Sequence, residues 1–188
     1  MSTATLPRTW TYEDLFDLPD DGKRYEIIDG ELFEMPSPTL DHATAVMDLI
    51  ALLLPVVDAL GGRIFTAPLD VFMAGGNPVQ PDIIVLLPER LVQMTTRGIE
   101  GPPNLLIEVQ GPSSAEHDRV TKRRLYARGG VTEYWLVDPE TRTIEVLVLD
   151  GEVYRTLIRV GGNDSVRSTV LPNPSFAAPT VFAASMSR

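Results

Sequence analysis

Two acidic residues stand in or beside short aliphatic runs of this sequence. Asp82 follows a proline within the run 79–87, and Glu108 lies about 26 residues later inside the run 105–109. Both runs predict neighbouring buried strands. Because burying an unpaired carboxylate costs several kcal/mol, acids in such strands are usually paired, hydrogen-bonded or bound to a cation.

Carboxylates on adjacent strands, completed by a backbone carbonyl and waters, would suit Mg²⁺ or Mn²⁺, since these hard cations prefer oxygen ligands. A metal so held polarises a phosphoryl group and lowers the pKa of water in phosphodiester cleavage. Lys122 is the candidate to orient the attacking water or to stabilise the pentavalent phosphate. It belongs to the stretch 119–128, which holds five of the sixteen Lys and Arg residues.

Each of these residues also has a structural interpretation. Asp82 after proline is ordinary turn chemistry, and an arginine of the basic stretch could satisfy Glu108. The basic stretch itself could be a solvated helix face with ion pairs such as Asp118 to Lys122.

Composition limits the class of protein. The chain has 188 residues, 44% of them apolar, which predicts one domain spanning 1–188 with its core at about 20–175. The lack of cysteine excludes disulfides and thiolate chemistry, and neither a secretory signal nor an apolar run of about 20 residues is evident. These features predict a cytoplasmic protein without membrane segments. The net charge of −10 argues against broad nonspecific DNA binding.

The first half of the chain shows clear element signals. Residues 11–18 predict a short helix with a capping box. Residues 25–28 and 31–35 predict a hairpin around Asp29 and Gly30. Apolar residues then recur with helical period over 39–60, where Pro55 should kink or interrupt the helix.

The second half predicts most of a mixed sheet. Strands are expected at 63–74 and 79–87, joined by a turn at 75–78, and at 105–109. A capping box at 113–116 predicts a helix that ends at 129–130. Further strands follow at 133–137, 143–149 and 152–159, with extended chain after them. This order predicts one α/β domain with a mixed sheet.

Several motifs follow one another in order along the chain: 24–32, 35–38 with His42, 81–82, 106–109, Lys122 with Tyr126, and 130–139. Over about residues 10–175 this ordered set resembles the Uma-two family of restriction-endonuclease-like proteins, within the PD-(D/E)XK nuclease superfamily. The resemblance implies a restriction-endonuclease-like core, in which helices flank a central mixed sheet, with β-hairpins near both termini.

The resemblance also implies a site. Asp82 and Glu108 would be the metal-binding acids. The superfamily places a lysine two residues after the second acid, where this chain has Gln110, so Lys122 on the following helix is its expected replacement. Glu31 or His42 could fill the place of an acid that the superfamily often adds from its first core helix.

The leading functional hypothesis is therefore a Mg²⁺-dependent DNA endonuclease, which the resemblance further predicts to act as a homodimer. A catalytically inactive nuclease fold that serves as a protein-interaction module is the alternative, motivated by the acidic charge and by Gln110. Hydrolysis of RNA or of a small nucleotide is a third possibility, because the same metal chemistry serves all three substrates.

Overall fold

A six-stranded mixed sheet forms the centre of the computed structural model, which describes residues 9–35, 37–73, 78–112, 114–172, 174 and 176–182. Its strands, given from one edge to the other, are β11 (Val153–Val160), β10 (Thr143–Asp150), β9 (Glu133–Asp138), β8 (Leu105–Val109), β6 (Ile83–Leu86) and β3 (Arg63–Thr66). Only β8 and β9 are parallel, and the other neighbours are antiparallel. The mixed sheet expected from the sequence is therefore confirmed.

The parallel pair β8 and β9 determines which element covers one face of the central sheet. Parallel neighbours need a crossover connection, and here a helical segment supplies it. This segment, which we call the crossover helix, contains a π-helix, His117–Lys122, which continues directly into α2, Arg123–Gly129. The helix ends where predicted, with Gly130 in the left-handed conformation at φ 83°. The π-helical turn was not foreseen, and Ser113 of the expected capping box lies outside the described residues.

Each face of the sheet carries its own apolar cluster, as the alternation of strand side chains requires. On one face, Ile83, Ile107 and Trp135 pack against the long helix α1, Leu40–Ala59. On the other face, Leu106 and Tyr134 pack with the crossover helix and with the smaller sheets. Glu108 shares the strand face of Leu106, so its carboxylate points toward the crossover helix.

Helix α1 matches its predicted bounds closely. The Thr39 hydroxyl accepts a hydrogen bond from the backbone N–H of His42 and so caps the helix. Pro55 lies inside α1 without interrupting it, so that of the two expected effects, a kink or an interruption, the interruption does not occur. With a mean hydropathy of 1.7, α1 is long and apolar enough to cross a membrane, a test that core helices of soluble proteins also pass.

In the described part of the chain, two small sheets and two 3-10 helices, one of them Pro88–Gln93, lie outside the central sheet. The predicted hairpin is β1 (Arg24–Ile28) and β2 (Glu31–Met35), and its turn residues Asp29 and Gly30 have φ of 52° and 82°. The order in the other sheet is β5 (Pro78–Val79), β4 (Val71–Phe72) and β7 (Ile99–Glu100). The helix expected at 11–18 is a 3-10 helix, Glu13–Asp17.

Several predicted boundaries need correction. The expected strand 63–74 is divided into β3 and β4, which belong to different sheets, and 79–87 is likewise divided into β5 and β6. Aliphatic content alone does not reveal where a chain leaves one sheet for another. The expected turn at 75–78 falls mainly on residues 75–77, outside the described residues. Near the C-terminus, expected to be extended, a short helix α3 forms at Ala178–Val181.

Candidate active site

A pocket of about 90 Å³ lies between the hairpin strand β1, the start of α1, the end of β8 and the crossover helix. We call it the acidic pocket, because four carboxylates line it: Glu26, Asp82, Glu108 and Asp118. Lys122 and His42 also line it. The structure thus brings together Asp82, Glu108, Lys122 and His42, and adds two acids that the sequence analysis had not assigned to the site.

Glu108 is the buried centre of the pocket. Glu108 is 3% exposed, and the other residues of its strand β8 are all aliphatic. One oxygen, Oε1, accepts a hydrogen bond of 3.0 Å from the Lys122 ammonium and one of 2.6 Å from the Tyr126 hydroxyl. Within the described ranges both hydrogen bonds fall on Oε1, so Oε2 remains available to a ligand.

Asp82 stands one residue before β6 rather than inside the strand. Its Oδ2 accepts a hydrogen bond of 2.8 Å from the backbone N–H of Val109, the residue after Glu108. The same oxygen lies 3.1 Å from Nε2 of His42. These contacts hold Asp82 beside Glu108 on the sheet and bring the start of α1 into the site.

Lys122 is not part of a solvated helix face. It is 1% exposed, and its Nζ lies 3.2 Å from Glu26 Oε2 and 3.8 Å from Asp118 Oδ1, in addition to its contact with Glu108. The ion pair expected between Asp118 and Lys122 is present, but it is buried. Lys122 is the last residue of the π-helix, a helical form that occurs frequently at functional sites.

Glu26 was missed as a site residue. It lies on β1, 2% exposed, and its Oε1 accepts a hydrogen bond of 2.8 Å from the backbone N–H of Gln80. Its Oε2 is buried without a hydrogen bond, its ion-pair contact with Lys122 aside. The sequence pattern that identified Glu108, an acid within an aliphatic run, is present here too. Glu26 precedes two isoleucines in a run that is buried in the structure.

The electrostatics follow from four carboxylates surrounding one buried ammonium. Burial raises the pKa of Glu108 well above its usual value; Lys122 opposes this, while Asp82, Asp118 and Glu26 add to it. Burial likewise raises the pKa of Asp118 to about 6. Burial alone would lower the pKa of Lys122, but the carboxylates, Glu108 foremost, outweigh it and raise the pKa, so Lys122 is an ammonium at neutral pH. The site therefore holds four carboxyl groups around one ammonium, and burial shifts Glu108 and Asp118 toward their protonated forms.

The donor atoms fit a hard divalent cation in type. All are carboxylate oxygens, and Glu26 Oε2 is a buried oxygen that lacks a hydrogen bond. Over the described ranges no three acidic or histidine side chains already form a cation cluster. Mg²⁺, however, is often held by one or two carboxylates with several waters, and Asp82 with Glu108 supplies such a pair.

The structure does not bring Gln110 or Glu31 to the pocket wall. Gln110 is buried, donates to the carbonyl of Ala115 at 3.2 Å and accepts from Arg119 at 2.7 Å. It is thus a structural link between the end of β8 and the crossover helix. Glu31 is exposed at the first position of β2, and neither residue is among those lining the acidic pocket.

Comparisons with known proteins bear on the family and on the fold. A family model described as "Uma2: Putative restriction endonuclease" matches residues 12–179. A search of curated proteins found no match. Among solved structures, the chain is similar to the crystal structure of "a putative nuclease belonging to DUF820" from Anabaena variabilis. That likeness has a TM-score of 0.74 at 20% sequence identity, covers 93% of this chain and 98% of the other, and shows a shared fold.

Proposed function

The chain belongs to the Uma2 family, and we propose that it is a DNA endonuclease that uses Mg²⁺ or Mn²⁺ bound in the acidic pocket. The expected restriction-endonuclease-like fold is shown by the mixed sheet and by its structural neighbour. The cation, the substrate and the catalytic residues belong to this proposal.

The observation that carries the proposal is the excess of buried carboxylates over buried cations. Four acids line the pocket, and Lys122 is the only cation that is fully buried among them in the described part of the chain. Keeping such charges together is unfavourable unless protons or another cation compensate them. A divalent cation would complete this charge balance at neutral pH.

Asp82 and Glu108 would hold the cation, and Glu26, whose Oε2 lacks a hydrogen bond and pairs with Lys122 at 3.2 Å, would support it. When bound, a divalent cation supplies positive charge to a phosphate and acidity to water. Lys122 and Tyr126 fix the orientation of Glu108 through its Oε1. His42 and the Val109 N–H fix Asp82 in the same way. Lys122 also lines the pocket as a permanent cation, which is suited to a phosphate oxygen or an ordered water.

The remaining parts of the proposal concern partners and place. A DNA substrate follows from the family description and not from the net charge of −10, which opposes nonspecific binding. Action as a homodimer and a cytoplasmic location remain predictions that accompany the nuclease hypothesis. A role for Glu31 at the metal or for Gln110 in catalysis also remains a prediction, which their positions away from the pocket do not favour.

A second candidate function has a specific observation in its favour. The Lys122 ammonium already lies within 3.8 Å of three carboxylates, so it can act as an internal substitute for a metal. A nuclease fold stabilised in this way could serve as an inactive protein-interaction module. Metal binding decides between the two candidates.

The test combines calorimetry with a cleavage assay. Wild type is titrated with Mg²⁺ and Mn²⁺ and then incubated with plasmid DNA in the presence of each metal or of EDTA. Glu108→Gln and Asp82→Asn remove one ligand charge each with little change of shape. Glu31→Gln is the matched control, because it removes an exposed carboxylate that does not line the pocket.

We expect chelator-sensitive nicking or cutting by wild type and Glu31→Gln, and loss of both metal binding and cleavage in the two pocket variants. Cleavage that persists in a protein that combines Asp82→Asn with Glu108→Gln would refute the assignment of the site. A folded wild type that binds no divalent metal would instead favour the interaction module.

A further inference from the structure

We propose that Arg24 is the phosphate-binding residue of the acidic pocket and holds the phosphate next to the scissile one in a bound nucleic-acid strand. This proposal rests on the proposed nuclease function and adds to it the group that recognises the substrate backbone. It is carried by the place of Arg24 on β1 and by the partners of the other basic side chains.

The position of Arg24 follows from the pleat of β1. Side chains two residues apart point to the same side of a strand, so Arg24 and Glu26 share one side. Glu26 reaches Lys122 in the buried part of the pocket, and Arg24 also lines the pocket while being only half-buried. Arg24 is therefore the more accessible of the two to a nucleic-acid strand that enters the pocket from solvent.

The basic residues of the crossover helix are already engaged. Arg119 donates to Glu145 and Gln110, and Arg123 donates to the carbonyl of Tyr154. Two further arginines both pair with Asp29: Arg124 and Arg128. These contacts engage the four arginines of the basic stretch 119–128.

Arg24 differs from these residues. No hydrogen bond or ion pair engages its guanidinium within the ranges that the structure describes. A planar guanidinium can donate two parallel hydrogen bonds to one phosphate, and it keeps its charge at any pH relevant to the enzyme. An unpaired guanidinium beside four carboxylates is suited to a substrate anion once a divalent cation has balanced those carboxylates.

The experiment measures the affinity of a fluorescein-labelled DNA duplex by anisotropy over a series of salt concentrations, in Ca²⁺ and in EDTA. The variants are Arg24→Gln, Arg24→Lys and the control Arg155→Gln. Arg155 is exposed on β11 at the far edge of the central sheet and does not line the pocket. The two glutamine variants therefore change the net charge equally at different places.

We expect Arg24→Gln to weaken binding roughly ten- to a hundredfold, as the loss of a charged hydrogen-bonding group implies. The slope of log affinity against log salt should become shallower by about 0.9, which corresponds to one lost phosphate contact. Arg24→Lys should lie between this variant and wild type, because it keeps the charge and loses the paired donors. In the cleavage assay KM should rise more than kcat falls.

Three results would overturn the proposal: wild-type affinity and slope in Arg24→Gln, an equal loss in Arg155→Gln, or no duplex binding by wild type. Calorimetry with Mg²⁺ separates this proposal from the proposed function. Arg24→Gln should bind the metal as wild type does, whereas a wild type that binds no metal refutes the nuclease hypothesis. Lost metal binding in Arg24→Gln alone would reveal a structural role for Arg24 instead.

Discussion

Replacing Lys122 with methionine tests the central electrostatic argument most directly. The substitution keeps a long, unbranched side chain and removes the ammonium that lies 3.0 Å from Glu108 and 3.2 Å from Glu26. Lys122 is 1% exposed, so water cannot replace the lost charge without entering the core. We expect Lys122→Met to lower the free energy of unfolding in metal-free buffer at neutral pH.

The size of this loss follows from the carboxylates that remain buried without their counter-ion. Removing one partner of a buried ion pair costs about 3–5 kcal/mol, because the other charge remains buried and uncompensated. Here three carboxylates lose the same counter-ion, which places the expected loss at the upper end of that range. Most small domains have a total stability of about 5–15 kcal/mol, so the loss should be large but measurable.

The pH dependence has a definite sign. Because the folded-state pKa of Asp118 is raised from 3.8 to about 6, its contribution to stability is present below pH 3.8 and is lost as the pH rises through about 6. Glu108 is shifted in the same direction. Without Lys122 these pKa values should rise further, since Lys122 lowers both. The loss of unfolding free energy in Lys122→Met should therefore be small at about pH 4 and complete at about pH 8.

The assay is urea unfolding followed by the fluorescence of the buried Trp135, in EDTA and in Mg²⁺. Lys23→Met is the control, because Lys23 pairs with Glu34 at 2.7 Å on the surface, where 47% of its side chain is exposed. That variant should lose far less stability, since water screens exposed pairs. Mg²⁺ should restore part of the stability of Lys122→Met, by about 2.7 kcal/mol at a hundredfold excess over Kd.

Wild-type stability of Lys122→Met at neutral pH would refute the argument that the ammonium compensates the carboxylates. A deficit that is the same at low and neutral pH would show that the loss comes from packing rather than from charge.

Two further predictions concern other parts of the molecule. Mg²⁺ affinity should rise with pH and binding should release protons, because the raised pKa of Glu108 makes protons compete with the metal. Calorimetry in buffers of different ionisation enthalpy counts the released protons, and binding without proton release or pH dependence would contradict this prediction. Glu133→Gln should lower the free energy of unfolding by about 1–3 kcal/mol in urea, because the fully buried carboxylate accepts hydrogen bonds from Trp135, Ser168 and Thr169. An unchanged urea midpoint would instead show that glutamine satisfies the same donors.

Local pattern was sufficient for several elements and for part of the site. The hairpin around Asp29 and Gly30, helix α1 and the strand that carries Glu108 all appear close to their predicted bounds. A carboxylate inside an aliphatic run correctly indicated that Glu108 is buried and has partners. The same reasoning applied to Glu26 would have found another member of the pocket.

Local pattern failed where the outcome depended on pairing between distant segments. Periodicity does not encode which strands become neighbours, so it could not show that 63–74 and 79–87 each contribute to two different sheets. It also could not separate a solvated Lys122 from a buried one, because the helical stretch contains both apolar and charged residues. The sheet that the helix covers decided this, since Glu108 faces the helix from β8.

The sequence by itself determined the chemistry available to this protein: oxygen ligands, a lysine on the crossover helix and no thiols. Only the tertiary structure decided which of these groups meet. Glu26 reaches Lys122 because the hairpin packs over the second face of the sheet, and His42 reaches Asp82 because α1 begins beside β6. Gln110 and Glu31 lie elsewhere, although they are close in sequence to pocket residues. Burial and charge balance, which are properties of the folded chain, turn these separate residues into one site.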